Sequence, residues 1–233
     1  MTEKFEGFPR ECLAFYRGLG RNNTKQWFEE HRRDYDDHVL APARRFVEAM
    51  GDAFARRSPG IHADPRTDKS IFRIHRDIRF SRDKRPFKTH LALWFWEGNG
   101  PRMECSGYYF HLEPGTLMLG AGIYMFPKHM LKEYRDSAVH RKYGPELDRA
   151  VKRVLNKGPY GLGGSFYKKV PRGYPADHGN AEYLLYNGLW AGMEVPVPKE
   201  VHSSGLVAYC MRRYADMAPL HEWLYALTTR VSG

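Results

Sequence analysis

The chain has 233 residues, 42% of them hydrophobic and 14% aromatic, with a formal net charge of +10; it is globular in composition and able to bury roughly 70% of its unfolded surface. No apolar run approaches the roughly 20 residues a bilayer span needs, and the first residues lack the basic-then-apolar layout of a signal peptide, so a cytoplasmic protein without a membrane partner is expected. Cys12, Cys105 and Cys210 are far apart and form no CxxC pair, which argues against a disulfide framework or a structural zinc site and for buried, reduced thiols.

Pro9 to Leu19 places Cys12, Phe15, Tyr16 and Leu19 on one helical stripe. Asn23-x-x-Gln26 reads as a capping box opening a second helix through Trp27, Phe28, His31 and Tyr35. Pro42 restarts or kinks the path, and Phe46, Met50 and Phe54 carry the helical period to about Arg57. The period then changes from 3.6 to 2. Ile71 to Ser81 alternates, Thr89 to Trp96 is β-branched and aromatic, and Tyr108 to Leu112 joins Thr116 to Tyr124 as a hairpin through Glu113-Pro114-Gly115. Helix signals return at Pro127 to Val139 and Pro145 to Asn156. Gly158 to Asn180 reads as a glycine- and proline-rich loop, and two tail helices are predicted, around Val201 to Tyr214 and Pro219 to Thr229. These elements predict one α+β domain over 1–233: helical over 9–57, an antiparallel-rich central sheet over about 71–124, and helices with a long loop over 127–229, the N- and C-terminal helices packing on the sheet.

Charge is concentrated in one place. From Arg66 to Lys88 there are nine Lys/Arg against three Asp, a net +6. The pattern Arg73-x-x-Arg76-Asp77-x-Arg79-Phe80, followed by Asp83-Lys84, resembles the signature of a bacterial family, domain of unknown function 2461. The likeness extends from Gly7-Phe8-Pro9 and Asn22-Asn23…Trp27-Phe28 to Pro171-Arg172-Gly173-Tyr174, nearly the whole chain. The family favours tyrosine where this chain has Phe87, so no function rests on a hydroxyl there. The resemblance implies a shared fold and supplies no substrate, cofactor or catalytic residue.

If Ile71–Ser81 is a strand, Phe72, Ile74, Ile78 and Phe80 share the core face, with Arg76 among them, while Arg73, His75, Asp77 and Arg79 share the other. Carried across the neighbouring strands, the alternation adds His90, Tyr109 and His111 to that second face, over a floor of Gly120 and Gly122. The expected site binds a small phosphorylated or carboxylated ligand through Arg73, Arg76, Arg79, Lys84, Lys88 and Tyr109. His75, His90 and His111 serve proton transfer, with Asp77 ionised and organising the arginines. Neither metal nor cofactor is expected: His75-x-Asp77 with His90 or His111 could make a two-histidine, one-carboxylate set, but nearby arginines repel a cation. The rival readings are an internal salt-bridge network and a nucleic-acid-associated basic module using Trp94, Trp96, Tyr108 and Tyr109 for stacking.

Overall fold

The computed structural model describes residues 4–231. The predicted N-terminal stripe forms α1 (Arg10–Arg21), with Cys12, Phe15, Tyr16 and Leu19 buried as their spacing requires. The capping residue of α2 (Lys25–Glu30) is Thr24, whose hydroxyl accepts the Trp27 N–H; Asn23 has another task, described below. A short α3 (Arg32–Tyr35) runs through one wide π-turn at Asp36–Leu40 into α4 (Ala41–Ala55), whose start carries Pro42 where no intrahelical donor is needed.

The strands are β1 (Ile61–His62), β2 (Leu91–Glu97), β3 (Gly107–Glu113), β4 (Thr116–Ile123), β5 (Gly161–Ser165) and β6 (Tyr186–Pro196). They form an antiparallel six-stranded sheet in the order β1-β2-β3-β4-β6-β5. Between the strands lie α5 (Lys128–Val139) and α6 (Tyr143–Leu155), and the chain closes with α7 (Gly205–Val231). The fold class is α+β.

Three expectations change. Ile71–Ser81 is not a regular strand: it holds isolated bridges, Thr67↔Ile71, Ile71↔Leu93 and His75↔Phe87, and Phe80 is 95% exposed while Ile74 alone of the predicted core face is buried. Gly161–Ser165, expected as loop, is a strand paired with β6; without bulky alternating side chains it carried no strand signal. The two predicted tail helices are one, with Pro219 inside it.

The chain gathers into two compact units. The first comprises Met1–Phe95, Tyr109–Leu119 and Glu194–Arg212. Its aromatic core sets Phe46 against Phe5, Phe8 and Phe110, with ring centroids 4.9, 5.6 and 5.0 Å away. The second comprises Trp96–Tyr108, Gly120–Met193 and Arg213–Gly233. Here Tyr134 stacks on Phe126 at 4.3 Å and its hydroxyl donates to the Tyr183 carbonyl. Gly122, expected in a ligand floor, instead admits a neighbouring strand, as does Gly164. A Cβ on Gly122 would lie 2.3 Å from the Leu189 carbonyl oxygen, and one on Gly164, at φ +99°, would lie 2.1 Å from that of Gly188.

Candidate functional site

The arm between β1 and β2 explains why the charged segment is not a strand. Asp77 accepts the backbone N–H of Arg79 and grips the same residue's guanidinium, Nη2 to Oδ2 at 2.7 Å. Asp83 repeats the arrangement on Arg85, and Asp64 on Arg66. Each Asp-x-Arg is a turn closed on its own side chain, and such turns compete with ladder pairing. Asp83 also accepts from Arg76 Nη1 at 2.7 Å. The carboxyl of Asp77 is held down to about 2 by the Arg79 side chain and backbone, with Arg73 adding positive charge; that of Asp83 is lower still, through Arg85 and then Arg76. The direct partner of Asp77 is Arg79 alone of the predicted arginines.

The arm is tied down at three points. Ile74 accepts the Lys88 N–H and Pro86 accepts the Arg76 N–H. Asn23 grips Phe87 with both ends of its amide: Nδ2 donates to the Phe87 carbonyl and Oδ1 accepts the Phe87 N–H, both at 3.0 Å. Phe87 itself stacks on Phe28 at 4.4 Å. The remaining predicted residues of the arm point to no common centre. His75 lies against Phe28 and Phe87, Lys84 donates to the Ile78 carbonyl, and Lys88 donates to the Arg73 carbonyl while lying over the Phe72 ring. The predicted stacking residues Trp94 and Tyr108 are buried in the core.

What the fold does bring together is His90, Tyr109 and His111, with a residue that sequence reasoning left in a turn, Glu113. On β3, Tyr108, Phe110 and Leu112 are buried, so Tyr109, His111 and Glu113 share the opposite face. His90 enters β2, the neighbouring strand, and its ring stacks on His111 with centroids 4.1 Å apart. Tyr109 Oη lies 3.1 Å from His111 Nδ1, and His111 Nε2 lies 3.5 Å from Glu113 Oε2. One nitrogen of each histidine and a Glu113 oxygen all lie within 4.8 Å of one another. The missed signal was the period itself: Tyr109-x-His111-x-Glu113 is the same alternation extended by one step.

Burial sets the charge state. His90 is pushed down to about 3 by desolvation, then by His111 and Lys88. His111 is also lowered by burial, which outweighs the opposing pull of Glu113 and Glu194. Both rings are therefore neutral at pH 7 and present lone pairs rather than acidic protons. Neutral imidazoles beside a carboxylate can ligate a cation or accept a proton.

Elsewhere Ser106 Oγ lies 2.9 Å from His221 Nδ1, and His221 Nε2 lies 2.8 Å from Glu97. This resembles a nucleophile relay, but Ser106 is fully buried and His221 nearly so, leaving no path for a substrate. The three cysteines are free and buried. His178 Nδ1 accepts the Asn180 N–H, closing a turn.

Residues 11–223 match a family described as Conserved hypothetical protein (DUF2461). No curated protein matches the sequence.

Proposed function

We propose that this chain, which belongs to the DUF2461 family of conserved hypothetical proteins, is a metal-binding protein whose centre is His90, His111 and Glu113. The observation that carries the reading is the convergence of two imidazole nitrogens and a carboxylate oxygen within 4.8 Å. Metal–ligand bonds of about 2.0–2.2 Å need ligand atoms roughly 3–3.5 Å apart, so small side-chain rotations close the set. Two imidazoles and one carboxylate suit zinc, iron, cobalt or nickel better than magnesium or calcium. With three protein ligands, coordination positions remain for water and a substrate atom, the arrangement in which a metal acidifies water and polarises a carbonyl or phosphoryl oxygen. Tyr109 supports it: a metal at His111 Nε2 leaves the ring proton on Nδ1, where the Tyr109 oxygen accepts it and fixes the ring. The reading retains an anionic ligand, since Lys88 lies two residues before His90 and its charge is felt by that ring.

The test is metal loading. Protein freed of metal by chelation is titrated with Co(II) and Zn(II), following cobalt ligand-field absorption and bound metal after gel filtration. About one ion per chain is expected, with affinity falling at least about tenfold in His90→Ala, His111→Ala and Glu113→Gln and less in Tyr109→Phe. Binding that is absent, or unchanged in all three ligand variants, overturns the reading.

A second reading, nucleic-acid association, rests on Phe80, which is 95% exposed with the Arg79 guanidinium 5.8 Å from its ring centre, in a stretch that continues through Arg82, Lys84 and Arg85. Aromatic tips among cations stack on single-stranded bases. Affinity for an oligonucleotide that falls steeply between about 50 and 200 mM salt and drops in Phe80→Ala supports it; salt-insensitive or absent binding removes it.

A further inference from the structure

The second unit holds an open cleft of about 690 Å³ that the metal reading leaves without a role. Its walls are two helical stripes. Glu146, Arg149, Ala150 and Arg153 recur on α6 at i, i+3, i+4, i+7, and Pro219, Glu222, Trp223, Ala226 and Arg230 recur along α7. Ala150 and Ala226, the smallest side chains on their stripes, leave the groove between larger neighbours. The indole of Trp223 is pinned by its N–H to the Tyr143 carbonyl at 3.1 Å, so the wall it forms is fixed.

The charges along the cleft are incompletely matched. Lys152 is paired with Asp148 at 2.7 Å. Arg149 and Arg153, both exposed and one helical turn apart, make no side-chain ion pair among the described residues. Arg230 lies with its guanidinium carbon 4.2 Å from the Tyr143 ring centre and 5.5 Å from that of Trp223. Its Nε and Nη2 are sealed from solvent without a hydrogen-bond partner. Nitrogens so sealed are held by the rings and are out of a ligand's reach; Nη1, which is not sealed, is the atom Arg230 offers to the cleft. Aromatic faces hold the fork in position, yet no carboxylate of the described residues closes on it.

We infer that this cleft binds a small phosphorylated molecule, its phosphate held by Arg149, Arg153 and Arg230, its hydroxyl or amino donors facing Glu146 and Glu222. Guanidinium forks match phosphate oxygens two at a time, and two on adjacent turns with a third across the groove surround such a group. The acceptors at the rim discriminate against a ligand that is anionic throughout.

The inference is independent of the metal site, and its test keeps the two apart. Inorganic pyrophosphate and adenosine monophosphate serve as probes, titrated calorimetrically into the full chain at 150 mM sodium chloride in metal-free buffer. Saturable binding is expected for both. It should weaken at least about tenfold in Arg149→Gln/Arg153→Gln, whose side chains are exposed and whose loss leaves folding intact. His90→Ala and the arm variant Arg73→Gln/Arg82→Gln should bind as wild type does. Absence of saturable binding overturns the inference, and so does binding that survives the cleft variant. A loss confined to His90→Ala or the arm variant assigns the anion to the other unit and equally overturns it.

Discussion

Asn23→Ala tests the clamp that holds the charged arm. The Asn23 amide makes two 3.0 Å hydrogen bonds to the N–H and the C=O of one residue, Phe87, which is 3% exposed. Each bond contributes about 1 kcal/mol net, and truncation also strands a partly buried N–H and C=O. The expected loss is about 2–3 kcal/mol, or roughly 5–10 °C in Tm for a chain of this size. The loss should be local first. Amide hydrogen exchange should speed up over residues 73–90 before the helices respond, because Arg76, Lys88 and the Phe87 bridge depend on that register. Asn23→Asp gives a sharper check. Its carboxylate would face the Phe87 carbonyl oxygen where Asn23 now offers an N–H, so its pKa rises in the folded state. The sign follows: the stabilising hydroxyl form is present at low pH and is lost as pH rises through the folded pKa. Asn23→Asp should therefore be no more stable than Asn23→Ala at pH 7 and more stable near pH 4. If the two variants keep the same difference at both pH values, or exchange over 73–90 is unaltered, the clamp does not act as described.

Other expectations concern separate parts of the fold. Gly164→Ala meets the Gly188 carbonyl from a φ of +99° and should cost about 2–4 kcal/mol in urea unfolding. Asn180 is buried, and its Nδ2 donates to the carbonyls of Ala138 and Gly144 at 2.9 and 2.8 Å. Asn180→Asp aims a carboxylate at both and should lose about 3–4 kcal/mol at pH 7, more than the roughly 2 kcal/mol of Asn180→Ala. Asp77, held down to about 2 by its bonds to Arg79, stabilises the fold above its ordinary value of 3.8, and that contribution is lost as pH falls toward 2. Acid titration of Asp77→Asn by circular dichroism should show a shallower slope in that window and little change at pH 7, since the pair is exposed.

Much of the fold was legible because its periods are clean. The α1 stripe and the β3–β4 hairpin follow from spacing alone, and each is buried where its period places it; α5 and α6 lie where helix signals return, although Leu155 at the end of α6 is 38% exposed. The charged arm misled for a physical reason. Ile71 to Ser81 alternates like a strand, but alternation describes side chains, whereas a ladder needs free backbone donors. Asp77 and Asp83 take the Arg79 and Arg85 N–H groups. The repeated Asp-x-Arg was visible in the sequence and carried the opposite message to the hydrophobic pattern. In β5, the glycines that erased any strand signal are the reason the strand fits, since Gly164 abuts Gly188 with no room for a side chain.

The same competition decides where chemistry can lie. A cation whose carboxylate sits two residues away is satisfied before any ligand arrives, so the local excess of positive charge overstated what the arm offers. Arg79 and Arg85 are neutralised by their own turns and remain exposed, where such pairs are screened and contribute little. The two candidate sites are assembled in another way. His90, His111 and Glu113 come from two strands and meet only when the sheet pairs, as neutral rings beside a carboxylate. Arg149, Arg153 and Arg230 come from two helices and meet only across a groove. Each set draws on two elements separated in the chain, and neither is closed by an Asp-x-Arg turn. Density of charge along a chain therefore points to turns and braces, whereas unfilled bonding capacity assembled from distant elements points to a site.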